Sequence, residues 1–362
     1  MKALIAAGGH ATRLRPITWT TNKHLIPLAN KPMLWHVIDK IVAAGIKDVI
    51  INVNPGEVDS MSKAFGDGSN WGDVKISYLE QQGGARGVAH VVANAKEHLE
   101  GHRFLFFLGD NIILGSINKF VERFENESLD CMLAFSRVKD PQRFGVPEFN
   151  ADGSLRRILE KPCDPPSDFA VTGIYLYNED YFQAFDAIKP STRGEYEISD
   201  INTWYIEQGK KVGYEEITGW WKDTGTPDAL IEGNALIMDS LDRDSFKVEG
   251  DVEEGAQIHG LVSIGPGTKV SADCLIRGPV TIGANCVLSG AYVGPYTSIG
   301  DGVTIRDTEV EHSVIFGGAT IDTTERIATS LIGLNATLVD ARRTHPKSAH
   351  RLIVGDNSFV EL

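Results

Sequence analysis

Apolar residues along this chain follow two different rhythms, and the change falls near residue 240. In the first part, short apolar runs alternate with stretches of helical periodicity. Residues 3–7 form a continuous apolar run, the pattern of a strand buried on both faces. Pro32 opens a helix that runs to about residue 44 and stops at Gly45, with proline and glycine at the ends each favours. Residues 48–53 and 74–79 read as further strands, 88–99 as a helix, and 103–108 as another buried strand. Strands separated by helices predict an α/β fold on a Rossmann-like, mostly parallel sheet with helices on both faces. Ligands of such sheets bind beyond the carboxyl ends of the strands.

From about Asp239 the alternation stops, and Leu241-Asp-Arg-Asp-Ser245 reads as a charged linker. Val252, Ile258, Ile264, Val270, Ile276, Ile282 and Leu288 then recur six residues apart. The register slips by one to Val293, Ile299 and Ile305, slips again at Val310 and Ile315, and resumes at Ile321 and Ile327. Glycine follows Ile264, Ile282, Val293 and Ile299. A six-residue apolar period with turn glycines predicts a parallel β-helix, each short strand burying one aliphatic residue. With three hexapeptides to a triangular coil, the segment is expected to hold about four coils. The expected organisation is a first domain over 1–240, a linker over 241–250, and a β-helix with a C-terminal tail over 251–362.

Composition narrows the partners. The chain has 362 residues, enough for two domains, and a net charge of −14. That charge argues against nucleic acid or an anionic membrane as a general partner. The four cysteines (Cys131, Cys163, Cys274, Cys286) show neither paired metal-ligand spacing nor a dense disulfide framework. They are expected to be reduced and buried in a cytoplasmic protein. The N-terminus enters the first strand without a charged-then-apolar signal pattern, and no apolar run reaches membrane-spanning length.

Against this acidic background the start of the chain stands out. Gly8 and Gly9 end the first strand, Arg13, Arg15, Lys23 and Lys31 follow, and no acid occurs before Asp39. A glycine turn offers oriented amides, and unneutralised cations offer charge-assisted donors, so the stretch reads as a phosphate site. Three further places carry candidate chemistry. Gln81 leaves a strand ahead of a glycine loop ending at Gly87; it can offer a donor and an acceptor to a base edge, or stand solvated in a loop. Asp110, in Leu108-Gly-Asp-Asn111, can hold Mg2+ through one carboxylate or form an Asx turn. Asp223 is a candidate second ligand, or part of a turn before the Pro227 helix. Glu160-Lys161 can grip a sugar hydroxyl and neutralise a phosphate, or form a surface pair of little energetic value.

Taken in order, these motifs resemble a known family. Gly8-Gly9 with Thr12-Arg13-Leu14, Lys23 with Pro27, Lys31-Pro32-Met33, Leu108-Gly-Asp-Asn111, Phe144-Gly145-Val146, Glu160-Lys161-Pro162, Arg193-Gly194-Glu195 and Trp221-Lys-Asp-Thr-Gly225 are similar to those of nucleotide-sugar pyrophosphorylases. Within that family the chain most resembles the long-form glucose-1-phosphate thymidylyltransferases, over about residues 1–240. The resemblance implies that dTTP and glucose 1-phosphate react to give dTDP-glucose and pyrophosphate. It also admits UTP or another sugar 1-phosphate, and a non-catalytic regulatory subunit that binds sugar nucleotides. It further implies roles. Arg13 would stabilise the departing pyrophosphate and Lys23 would contact the phosphates being separated. Gly8, Gly9, Thr12 and Asp110 would bind the nucleotide, with Gln81 reading the thymine edge and Gly87 permitting close approach. Asp110 and Asp223 would hold Mg2+. Lys161 would hold the sugar phosphate, and Gly145, Glu160 and Val171 would line the sugar pocket.

The chain departs from the family pattern at two places. The family loop usually reads Gly-Gly-x-Gly-Thr-Arg, whereas Ala11 stands at the third glycine position after a His10 read as solvent-facing. A positive φ at Ala11 would cost about 1 kcal/mol. The loop after Gln81 is one residue longer and contains Arg86, a candidate added phosphate contact. Resemblance to hexapeptide-repeat proteins implies a left-handed β-helix and a homo-oligomer, so cutting after about residue 240 is expected to alter assembly more than chemistry. Such helices also occur in acyltransferases. The candidate bases His259, His312 and His345 have no constellation around them in the sequence.

Overall fold

The structure is a computed structural model that describes residues 1–340. His345 and the tail beyond residue 340 lie outside the described residues. Two compact units emerge: residues 1–10 with 34–223, and residues 11–33 with 224–340.

In chain order, β1 (Lys2–Ala6) is followed by the short hairpin strands β2 (Pro27–Leu28) and β3 (Lys31–Pro32) and by α1 (Met33–Ala43). Then come β4 (Asp48–Val53), α2 (Val58–Phe65), β5 (Lys75–Glu80), α3 (Val88–Asn94), α4 (Lys96–Leu99) and β6 (Phe104–Leu108). The first unit continues through β7 (Asn111–Ile113), α5 (Asn118–Asn126), β8 (Cys131–Arg137), β9 (Gly145–Phe149), β10 (Leu155–Glu160) and β11 (Phe169–Tyr177). It closes with α6 (Tyr181–Ala187), α7 (Ile198–Glu207), β12 (Val212–Glu216) and β13 (Trp221–Asp223).

Its main sheet runs β10-β9-β11-β6-β1-β4-β5, with β8 between β11 and β12. The half formed by β6, β1, β4 and β5 is parallel. Past β6 the pairing is mixed, because β11 runs antiparallel to β6, β8 and β9. Fully buried aromatic residues fill the core beside the sheet, among them Phe104, Phe106, Tyr177, Tyr181 and Tyr205. The three tyrosines reach partners at Asn202, the Ala89 carbonyl and Asn178 respectively, so their burial strands no hydroxyl.

In the second unit the six-residue period becomes three sheets of parallel strands, consistent with a left-handed β-helix. Val252, Val270, Leu288, Ile305, Ile321 and Leu338 stack in register along one sheet. Ile258, Ile276, Val293, Val310 and Ile327 stack along another. Ile264, Ile282, Ile299, Ile315 and Ile332 form the third stack. Every position in the counted period is therefore an inward residue. Each sheet holds five or six strands, more than the about four coils expected, because the period continues past Ile327 to Ile332 and Leu338. Ile305 is 0% exposed at mid-stack. Ile305→Ala is expected to cost about 2–5 kcal/mol, read as a lower thermal midpoint of the full chain.

Residues 11–33 and the helix α8 (Pro227–Ser240) cluster with the β-helix. Asn234, fully buried on α8, joins them: its Oδ1 accepts from the Ala29 amide (2.8 Å) and the Ser298 hydroxyl (2.5 Å), and its Nδ2 donates to the Tyr296 carbonyl (3.0 Å). Asn30 donates to the Ile299 carbonyl at 2.8 Å. Cutting after residue 240 would strip the Tyr296, Ser298 and Ile299 partners, so it is expected to reach the stability of residues 11–33 as well as assembly.

Cys131, Cys274 and Cys286 are buried and free, as expected; Cys163 is free but exposed, a correction that follows from its place in the turn after β10. Among the described residues no helix is long and apolar enough to cross a membrane.

Candidate active site

In the first unit a cavity of about 180 Å³ opens at the ends of β6, β10 and β13 and along the middle of β11. Asp110, Asp223, Gly145, Glu160, Lys161 and Val171 all line it. Strand pairing accounts for the acids. Asp223, the last residue of β13, lies opposite Asn111, the first of β7, so Asp110 and Asp223 sit at adjacent ends of one two-stranded ladder.

Asn111 holds this corner together. It is 3% exposed; its Nδ2 donates to Asp110 Oδ1 at 2.8 Å, and its Oδ1 accepts from Trp221 Nε1 (2.7 Å) and the Gly173 amide (3.1 Å). The Gly173 amide is free to reach it because β11 breaks register against β8 between Val171 and Tyr175. A Cβ at Gly173 would lie 2.7 Å from Asn111 Cγ and from Leu108 Cβ, so a side chain there would displace the corner. Sequence reasoning gave Asn111 and Trp221 no role of their own.

Glu160, which also lines the cavity, ends β10. Its Oε2 accepts from Ser199 (2.7 Å), and its Oε1 lies 3.3 Å from Arg193 Nη2 and 3.4 Å from Lys161 Nζ. Arg193 also donates to the buried Glu197 at 2.9 Å, which in turn accepts from Ser191. This acidic wall has an electrostatic consequence: burial, then Glu197 and Glu160, push the Asp200 carboxyl above its ordinary value. Lys161 has φ +45°, a left-handed backbone that costs about 1 kcal/mol in a non-glycine residue. Strained backbone at a charged cavity residue points to a positional requirement on that residue.

Elsewhere in this unit, Gly8 and Gly9 follow β1. Gly9 has φ +101°, and its amide donates to Asn54 Oδ1 (2.8 Å), so one of the amides expected to face a phosphate braces the loop instead. A Cβ at Gly8 would lie 3.0 Å from that same oxygen. Gln81 follows β5 and Gly87 precedes α3. Gly87 has φ +95°, and a Cβ there would meet the Tyr196 carbonyl oxygen at 2.5 Å. Arg86 and His10 are exposed.

Thr12, Arg13 and Lys23 belong to the second unit, in the 3-10 turns Thr12–Leu14 and Lys23–Leu25. Lys23 is 7% exposed, and Asn22 caps its turn by accepting from the His24 amide at 2.8 Å. Ala11, ahead of the first turn, adopts φ 41° and ψ 48°, the left-handed conformation for which glycine is suited. Ala11→Gly is therefore expected to leave thermal stability unchanged or raise it by up to about 1 kcal/mol, against the usual loss for such a change.

Among the described residues no group of three or more His, Cys, Asp or Glu side chains is arranged to hold a metal alone. Two carboxylates on one cavity wall suit a hard cation that keeps waters and takes its remaining oxygens from a substrate phosphate.

Residues 2–240 match the nucleotidyl transferase family. The chain belongs to that family. It is 39% identical over its full length to a glucose-1-phosphate thymidylyltransferase of Streptomyces griseus, covering 99% of that protein. It is 36% identical over its full length to a low-salt glycan biosynthesis nucleotidyltransferase of Haloferax volcanii, covering all of it. Among solved structures, a Bacillus anthracis protein assigned as a glucose-1-phosphate thymidylyltransferase, in complex with sucrose, superposes with a TM-score of 0.61 at 38% identity. That match covers 65% of this chain and 94% of the other. β6 and β10 bring their carboxyl ends to this cavity, the place where open α/β sheets take their ligands.

Proposed function

We propose that this nucleotidyl transferase joins dTTP to α-D-glucose 1-phosphate, forming dTDP-glucose and pyrophosphate. The observation that carries the reading is that Asp110, Asp223, Glu160 and Lys161 line one cavity. The full-length similarity to a thymidylyltransferase supports this choice of nucleotide and sugar. A sugar-phosphate oxygen attacks the α-phosphorus in line; a new P–O bond forms there and the bond to the β-phosphate oxygen breaks, releasing pyrophosphate. No side chain is needed as a general base, because the attacking oxygen is already anionic.

In this account Lys161 holds the sugar phosphate, and Glu160, Gly145 and Val171 shape the pocket for the sugar. Arg193 and Ser199 hold the Glu160 carboxylate ready to accept from sugar hydroxyls. Gln81 faces the base, and Gly8, Gly9, Thr12, Gly87 and Asp110 take the rest of the nucleotide. Arg13 and Lys23 neutralise the phosphates being separated. Asp110 and Asp223 would hold Mg2+, which when bound offsets charge on the α-phosphate and the sugar phosphate. The remaining catalytic effect comes from positioning and charge.

The proposed division is a catalytic segment over 1–240, a linker over 241–250 and an assembly module over 251–362 that makes a homo-oligomer. The four free cysteines support a cytoplasmic setting. The test is pyrophosphate release by the purified full chain with Mg2+ and glucose 1-phosphate, comparing dTTP, UTP, dCTP, GTP and ATP. Release with dTTP, alone or shared with UTP, is the expected result. Silence with every nucleotide and several sugar phosphates would instead favour the regulatory subunit.

A further inference from the structure

The main chain around Gln81 is fixed from several sides. Its amide donates to the Val53 carbonyl (2.8 Å), and Asn94 on α3 accepts from the Gln82 amide (3.0 Å) while donating to the Glu80 carbonyl (3.0 Å). The side-chain amide is then spent in an unusual way. Gln81 Nε2 lies 2.8 Å from His90 Nδ1 and donates to the Gln82 carbonyl at 3.3 Å, so both of its hydrogens are used inside the protein. Gln81 Oε1 is out of contact with water and has no hydrogen-bond partner. A buried acceptor left in that state is costly, and a ligand that donates to it recovers the loss.

His90 sits on α3, one helical turn before Asn94, with its ring stacked against Tyr196 at 6.2 Å and near Phe185 at 6.3 Å. To accept from Gln81, the ring must be neutral with its proton on Nε2. We propose that His90 commits Gln81 to acting as an acceptor toward the base, and so selects an imide edge, whose N3–H donates, over a cytosine edge, whose N3 accepts. The inference rests on the reading of Gln81 as the residue that faces the base.

Protonation reverses the arrangement. An imidazolium donates from both nitrogens, so Gln81 turns its Oε1 to His90 and presents Nε2 outward, the wrong polarity for an imide. The groups packed around the ring are Gln81 after β5, Arg86 on the glycine loop, Phe185 on α6 and Tyr196 ahead of α7; Arg86 is the charged one among them. Burial, and then Arg86, lower the His90 pKa from its ordinary value, which keeps the ring neutral near pH 7. Because the oxygen is covered, a base that reaches it must displace a neighbouring group; the adjoining loop has Gly83, Gly84 and Gly87 at positive φ.

The experiment uses the full chain with Mg2+ and glucose 1-phosphate, and reads the ratio of kcat/KM for dTTP over dCTP as pH falls from neutral. Effects common to both nucleotides cancel in the ratio. The ratio is expected to be high near neutrality and to fall about tenfold once His90 takes up a proton, below the ordinary imidazole range. His90→Phe is expected to give a low, pH-independent ratio. His90→Gln restores a carbonyl acceptor and is expected to keep the ratio high while removing its pH dependence. Thermal shifts with dTTP and dCTP supply the same ranking without turnover. If Gln81→Ala lowers the ratio but His90→Phe matches the unaltered chain at every pH, the inference about His90 is overturned and the reading of Gln81 stands. If Gln81→Ala leaves the ratio unchanged, the reading itself is overturned, and the inference with it.

Discussion

Asp110→Asn is expected to lower pyrophosphate release by about a thousandfold or more while leaving the thermal midpoint within about 1 kcal/mol of the unaltered chain. The substitution keeps the size of the side chain and an oxygen able to accept from Asn111, whose other bonds to Trp221 and Gly173 are untouched. What it removes is one negative charge at the cavity wall shared with Asp223. A hard divalent cation bound by few protein oxygens depends strongly on each one. The indole of Trp221, bonded to Asn111, offers a fluorescence check that the corner is intact. Near-normal turnover in a folded Asp110→Asn protein would remove Asp110 from the metal site.

Gly87→Ala is expected to produce the second large effect, through backbone geometry. At φ +95° an alanine is strained by about 1–2 kcal/mol, and its Cβ would lie 2.5 Å from the Tyr196 carbonyl oxygen and 2.8 Å from the Tyr196 amide nitrogen. Those groups cannot swing aside: the Tyr196 amide donates to the Arg86 carbonyl at 2.7 Å, and its carbonyl accepts from the Ala89 amide at 3.2 Å. The start of α3 must therefore move, and it carries His90 and borders the cavity through Val88. The expected outcome is a stability loss of about 2–4 kcal/mol by thermal melting and weaker nucleotide protection. A variant with the original midpoint and the original dTTP-induced shift would contradict the geometry.

Much of the framework was legible in the chain because single residues carried it. The strand expected over 48–53 is β4, and every aliphatic residue of the six-residue period has a partner above or below it in a stack. Asp110, Asp223, Glu160 and Lys161 line one cavity, yet in the sequence each also fitted a turn or a surface pair, and the order of the motifs rather than any one residue singled them out. The helix expected over 88–99 is instead two, split at Ala95. Just before the split Asn94 is tied to both sides of Gln81, a tertiary demand that no local pattern shows. Asn111, Asn54 and Asn234 were missed for the same reason. Each acts by bonding groups distant in sequence, such as Trp221 with Asn111 or Tyr296 with Asn234, and an isolated asparagine carries no sign of its partner. The mixed half of the sheet was hidden likewise, since β11 pairs antiparallel with β6 and β8, strands far before it in the chain.

In the proposed reaction one cavity carries a sugar phosphate to the α-phosphorus of a thymidine nucleotide. Its most direct test is product analysis with glucose 1-phosphate bearing heavy oxygen throughout its phosphate group, incubated with dTTP, Mg2+ and the full chain. Mass spectrometry is predicted to find all of the label in dTDP-glucose and none in the pyrophosphate released. Label in the pyrophosphate, or thymidine monophosphate in place of a nucleotide sugar, would contradict the account.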